Sequence, residues 1–217
     1  MEQGIKVLSG QVVKIDPVVA VELAAEMAKI TGKNAWASPF TGEVYVSASS
    51  ARAIAAKNQL IAEGGLNSPN KSALLQIIGE ESVRGSGDKL QLGPFIVKDP
   101  ATGLPMEVAG VEKGVYIQDS LNNGTKFFDV GEVYNKLKAA GFTDNQLWPI
   151  NQEAIRITME SKNPINYVFT DVDIMLKINK DIPSDKVVIR VREMRWIIEH
   201  AAEYGYVKNG NGWIWQP

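Results

Sequence analysis

The stretch REMRWIIEH, residues 192–200, holds the densest set of groups able to do chemistry. Glu193, Trp196 and His200 are spaced i, i+3, i+7, which puts them on one face of a helix. Arg192, Arg195 and Glu199 share the adjacent stripe. A carboxylate and an imidazole one or two turns apart, beside two arginines, suit acid–base cleavage of a phosphodiester. Histidine titrates near neutrality, and arginine stabilises charge developing on the phosphoryl oxygens. A solvated helix face, with Arg195 paired to Glu199, accounts for the same spacing. Lys186, Arg190, Arg192, Arg195 and Lys208 outnumber Glu193, Glu199 and Glu203, which makes the region locally basic, as a selective RNA binder requires.

Other candidates lie upstream. Asp129 follows the apolar run KFF and is expected at a strand end, where open α/β sheets collect their sites. The alternative role is capping of the helix GEVYNKL. Asn151, Glu153 and Arg156 fall on one helix, and Asn151 can bind a base or a ribose, or cap the chain after Pro149. Asp171 and Asp173, at i, i+2, would share a strand face as a divalent-metal pair, but no third ligand is evident, so no metal site is assigned. No cofactor motif is found.

ESVRGSGDKLQLGPF, residues 81–95, poses a separate question, because Arg84, Ser86 and Lys89 flank two glycines and could hold an anion. In phosphate-cradling loops the glycines follow a strand and open a helix. Here a helix runs into Gly85-Ser86-Gly87 and a strand follows, so a turn is the simpler reading.

Composition narrows the classes. The 217 residues are 45% hydrophobic and 22% charged, with a formal net charge of -2, which does not fit a non-specific nucleic-acid binder. Cysteine is absent and histidine occurs once, so disulfide frameworks, cysteine-held metals and two-histidine ribonucleases within one chain are excluded. No apolar run approaches the ~18 residues of a membrane span, so no stable membrane insertion is expected.

The elements that must position these groups alternate. Helices are expected at DPVVAVELAAEMAKITG, with Asp16 as cap, Gly32 as stop and Val19, Leu23, Met27 and Ile30 inward; at SSARAIAAKNQLIAEGG; and at SPNKSALLQIIGEES. GEVYVS reads as a strand between the first two. Strands DKLQLGPFIV, TKFFDV and INYVFTDVDIMLKI alternate with helices ending at Asn123-Gly124, at Gly141, and after a kink or restart at Pro149. A long helix capped at Ser184 is expected to bury Val187, Val191, Met194, Ile198 and Ala201, ahead of a hairpin turning at Asn-Gly, with Trp213 and Trp215 covering the sheet. The fold class is mixed α/β: a small, partly parallel sheet flanked by helices, preceded by a mostly helical N-terminal segment. The division is expected near 81–87, giving segments 1–80 and 81–217.

GSGDKLQLGPF resembles the GxGDRxxLG opening of toxin domains at the C-termini of large secreted bacterial polymorphic toxins, of the contact-dependent growth inhibition and Rhs types. YIQDSLNNGTKFFDV, VYNKL with LWPINQEAI, and REMRWIIEHAAEYGY resemble later segments of those domains, in the same order, over residues 81–217. Lys89 stands where the pattern has arginine, and the 98–112 loop looks expanded. The resemblance implies a toxin domain behind a delivery segment at 1–80, part of a larger secreted or cell-surface protein and delivered to the target-cell cytoplasm. It also implies a cognate immunity protein as partner. RNA cleavage, often of tRNA, is the activity it favours, here metal-independent; NAD consumption or ADP-ribosylation is the rival chemistry. A non-enzymatic binding or adaptor module is the other class. No catalytic residue is carried over. On the residues themselves, Glu193, His200 and Asp129 are the catalytic candidates, and Lys89, Asn151, Arg156, Arg192 and Arg195 the substrate-binding ones.

Overall fold

The computed structural model describes residues 9–93, 107–108, 111–112, 115–167, 181–187 and 189–217. Chain order begins with β1 (Val12–Lys14), α1 (Pro17–Thr31), β2 (Ala35–Ala37) and β3 (Glu43–Val46). Asp16 caps α1 by accepting from Val18 N at 2.9 Å, and Gly32 ends it with a left-handed φ of 65°. These strands form a three-stranded antiparallel sheet, ordered β1-β3-β2. Alternation divides its side chains. Ala35, Ala37, Val44 and Val46 pack on Ala20, Ala24 and Met27 of α1, while Trp36 and Tyr45 point the other way. The inward stripe of α1 is therefore its alanines: of the expected Val19, Leu23, Met27 and Ile30, Val19 and Ile30 are about half exposed. Small side chains let the helix sit close to the sheet, and the valines on its flank stay outside.

Helices α2 (Ala51–Ala62) and α3 (Lys71–Glu80) follow, then β4 (Val83–Arg84) and β5 (Leu90–Leu92). A short ribbon, β6 (Glu107–Val108) with β7 (Val111–Glu112), precedes α4 (Val115–Asn123), β8 (Lys126–Phe128), α5 (Glu132–Ala139), α6 (Asp144–Glu160) and β9 (Ile165–Tyr167). The chain closes with α7 (Ile189–His200), β10 (Tyr206–Asn209) and β11 (Gly212–Trp215). The main sheet has the order β10-β11-β9-β5-β8-β4. Its centre, β9-β5-β8, is parallel, and the strands outside it are antiparallel. The mixed α/β class is thus observed.

One apolar core joins Leu90, Leu92, Ile165 and Tyr167 of the sheet to Ile150, Ala154 and Ile155 of α6 and to Val191, Met194 and Ile197 of α7. Leu60 of α2 and Leu74, Leu75 and Ile78 of α3 belong to that same core. The helices at 51–80, on the N-terminal side of the expected division, therefore pack with the main sheet. Aromatic packing joins the small sheet to it as well, through Trp36 and Tyr45 against Tyr116, Ile117, Leu121 and Phe127.

Three local expectations are corrected. α6 runs unbroken through Pro149, because a capping box between Thr143 and Gln146 fixes its first turn. The carbonyl deprived by Pro149 belongs to exposed Asn145, where water can satisfy it. α7 starts at Ile189; Ser184–Lys186 is a 3-10 turn and Val187 is extended, as suits a β-branched residue. Ile197 faces the core, and Ile198 is exposed. The expected strand INYVFTDVDIMLKI is observed over Ile165–Tyr167, and its remainder, with Asp171 and Asp173, lies outside the described residues.

The 85–87 glycines form a turn. β4 and β5 flank β8 on opposite sides, so the chain must cross the start of β8 in the five residues 85–89. Gly85 does so at φ 92°, where a Cβ would stand 2.5 Å from the Thr125 carbonyl oxygen. Arg84, Ser86 and Lys89 do not converge. Arg84 Nη2 donates to the Ala48 carbonyl, Ser86 Oγ donates to Glu43, and Lys89 is exposed on the turn. Gly85→Ala is expected to destabilise the fold by about 2 kcal/mol or more, read as a lower urea midpoint.

Candidate functional site

Parallel pairing puts the carboxyl ends of β5, β8 and β9 at one edge of the sheet, where doubly wound folds place their ligands. A cleft of about 690 Å³ opens there. Leu92 and Gly93 leave β5 into it, and Phe128, Asp129 and Val130 leave β8. Gly32, Lys33, Asn34 and Ser47 of the small sheet's loops form one wall; Asn151 of α6 and Glu193 of α7 line it from the other side.

Glu193 is 5% exposed although its side chain is ionisable. α7 turns it inward beside Met194, toward α6 and β9. Asn151 Nδ2 donates to its Oε1 at 2.8 Å, and the Tyr167 hydroxyl lies 3.3 Å from Oε2. Burial pushes the carboxyl from its ordinary value of 4.5 up to about 7, with these two hydrogen-bond neighbours opposing the rise. A carboxyl that titrates near neutrality in a cleft is suited to proton transfer.

Asp129 is 6% exposed. Its Oδ2 accepts from the Tyr45 hydroxyl and from Ser47 Oγ, both at 2.7 Å, and its Oδ1 accepts from Gly131 N at 3.0 Å. The contact with Gly131 shapes the turn into α5, while Ser49 Oγ receives Val133 N at 3.0 Å in place of a side-chain cap. Burial, then the Asp129 charge, drives the Tyr45 phenol well above its usual range. Tyr116 also lines the cleft and donates to the Phe128 carbonyl; burial first, then Asp129 and Glu193, raise its phenol too. At the rim, Lys33 Nζ stands 3.8 Å from Glu132. Burial acts to raise the Glu132 carboxyl, but the Ser49 N–H bond and Lys33 bring it below its ordinary value.

The sequence candidates thus divide. Glu193, Asp129 and Asn151 come together in the cleft. His200 does not join them: it lies at the far end of α7, its ring stacked on Trp196 at 4.2 Å and its Nδ1 2.8 Å from the Trp196 carbonyl. Two helical turns separate it from Glu193 along the axis, so the expected Glu193–His200 pair is not formed. Arg156 is held by Glu153 and Glu160, which raise its pKa. Arg195 is buried, donating to the Ile182 carbonyl. Arg192 donates to Asn145 at 3.0 Å and lies over the Trp148 ring, with burial lowering its pKa. Lys89 is exposed on the glycine turn. None of the four basic candidates lines the cleft.

Tyr45, Ser47, Lys33, Tyr116 and Tyr167 were not singled out from the sequence. A signal existed for two of them: Tyr45 and Ser47 are two apart in GEVYVS, so on a strand they share a face. Protein-family models, curated proteins and solved structures were all compared with the chain, and none matches it.

Two outcomes are expected. A carboxyl raised on folding stabilises the native state fully below its unfolded value, and that contribution is lost as pH rises through the folded value. Stability should therefore fall between about pH 4.5 and 7 by on the order of 3 kcal/mol, and Glu193→Gln should remove that slope in urea titrations across pH. Tyr45→Phe should cost about 2 kcal/mol by the same assay, because it strips a buried charge-assisted bond from Asp129.

Proposed function

We propose that the chain is the toxin-bearing region of a secreted bacterial polymorphic toxin, and that it cleaves RNA by metal-independent acid–base chemistry in the cleft. The observation that carries the chemistry is Glu193, a buried carboxyl raised to about 7 at the carboxyl ends of parallel strands. RNA brings its own nucleophile, the 2′-hydroxyl, so the protein has to supply proton transfer and orientation. Glu193 transfers the proton, Asn151 orients it, and Lys33 is the cation among the described lining residues able to meet a phosphate. The toxin identity is supported by the ordered likeness of GSGDKLQLGPF, YIQDSLNNGTKFFDV and REMRWIIEHAAEYGY to such domains. A small cognate immunity protein and a tRNA substrate belong to this reading.

One observation favours the NAD-consuming alternative. Asp129, Glu132 and Glu193 outnumber Lys33 among the lining residues, and a carboxyl-rich cleft suits the positive charge that develops when a glycosidic bond breaks.

The test is tightly controlled cytoplasmic expression of the full chain in a bacterium, followed by growth, total RNA on a gel and NAD⁺ content. Growth arrest with shortened tRNA or rRNA is the expected result. Glu193→Gln should slow cleavage roughly a hundredfold or more. Arrest with intact RNA and falling NAD⁺ would transfer the assignment to the second reading. Normal growth with soluble protein present would overturn both and leave a binding module.

A further inference from the structure

Trp196 and His200 stand on α7 outside the cleft that Glu193 of the same helix lines. Their rings lie nearly parallel, 17° apart with 4.2 Å between centroids. Tyr204 stands 6.3 Å from the same indole, tilted by 46°. Trp196 and Tyr204 pack on the main core, and all three rings remain partly exposed. The imidazole is pinned at its edge as well. Its Nδ1 lies 2.8 Å from the Trp196 carbonyl, which can only accept, so Nδ1 carries a proton and the bond fixes the ring over the indole. The stack covers one face of the imidazole and leaves the other for a further flat ring. A face held in this way binds at small entropic cost, because its orientation is already set.

Direction and charge say what that further ring belongs to. Glu193 and His200 are seven residues apart, close to two full turns, so they project to the same side of α7 about 10 Å apart along its axis. A strand whose scissile bond lies at Glu193, and which follows the helix, brings a neighbouring base over His200. Arg192, four residues before Trp196, puts a positive charge at the cleft end of this row. Glu199 and Glu203 are exposed at the other end and repel phosphate, so that end suits a base rather than the backbone.

We propose that the Trp196–His200 stack is a nucleobase subsite, and that it takes the face of an unpaired base of the RNA strand cut in the cleft. This rests on the RNA-cleavage reading above and specifies its substrate as a single-stranded segment, because a base inside a duplex has no free face. His200 binds by stacking and takes no part in proton transfer. Stacking on an aromatic ring accepts every base, so the subsite sets the strandedness and the position of the cut rather than its sequence.

The chain has a single histidine, so the imidazole C–H signals in proton NMR report this subsite alone. The titrant is a short single-stranded oligoribonucleotide carrying 2′-O-methyl groups, which lacks the attacking hydroxyl and is not cut. The full chain should bind it, and both imidazole signals should move upfield under the ring current of the stacked base. A strand of the same length without bases should leave them in place. His200→Ala should weaken binding about tenfold, read by fluorescence anisotropy of a labelled strand, and His200→Phe, which keeps a ring, should restore it to within about twofold. Binding with both signals unmoved would overturn the proposal, as would equal shifts with the base-free strand or no binding at all. None of these readouts needs turnover, so the subsite and the RNA-cleavage reading fail separately. Unmoved signals, with cellular RNA shortened as fast by His200→Ala as by the wild type, remove the subsite and leave the nuclease. Upfield signals with intact cellular RNA keep the base-binding face and remove the cleavage.

Discussion

Two hydrogen bonds into one carboxyl hold the two sheets in register. Tyr45 and Ser47, on the outward face of the small sheet, both donate to Asp129 Oδ2 at the end of β8. Buried polar groups must be paired, so this junction is fixed in geometry as well as in energy. Around it the aromatic cluster of Trp36, Tyr45, Tyr116 and Phe127 excludes water. The cleft exists because these contacts bring the loops at Gly32–Asn34 and Ser47 over the strand ends.

Glu193 depends on the same construction. Its carboxyl is raised because α7 packs it against α6 and β9, and no cation among the described residues compensates for the lost water. Such a group is unfavourable to stability when ionised and is the usual mark of a site kept for chemistry. The arginines follow the opposite rule. Arg156, Arg192 and Arg195 each find carboxylates, a ring face or carbonyls, and so knit the helices together. Of the basic residues that the sequence groups around α7, Arg192 and Arg195 are used within the fold, while Lys186 and Lys208 are exposed.

The parallel core, the cap at Asp16, the terminal hairpin and the turn at Gly85–Gly87 were legible because each has a local cause. A glycine at φ 92° or an aspartate before a proline carries its own explanation. Helix phase was less legible. Ile197 and Ile198 are equally apolar, and only the packing partner chooses between them. The site was half legible. Asp129 could be placed by strand-end logic and Asn151 by its helix, whereas pairing Glu193 with His200 treated one helix face as a site. A cleft is made between elements: Tyr116 lines it, while Tyr45 and Tyr167 bond its Asp129 and Glu193 carboxyls from places distant in sequence. Periodicity within one element holds no information about that meeting.

The order of strands in the main sheet has a consequence for synthesis. β5 lies between β8 and β9, so its central pairing partners follow it in the chain, and β9 ends only at Tyr167. The junction at Asp129 spans 84 residues, and the bond from Asn151 to Glu193 spans a further 42. Contacts so distant in sequence form late, because the loops they close must be ordered first. A chain emerging from the ribosome therefore carries its first helices and small sheet well before it has a cleft, and the site is finished only once Glu193 of α7 has followed.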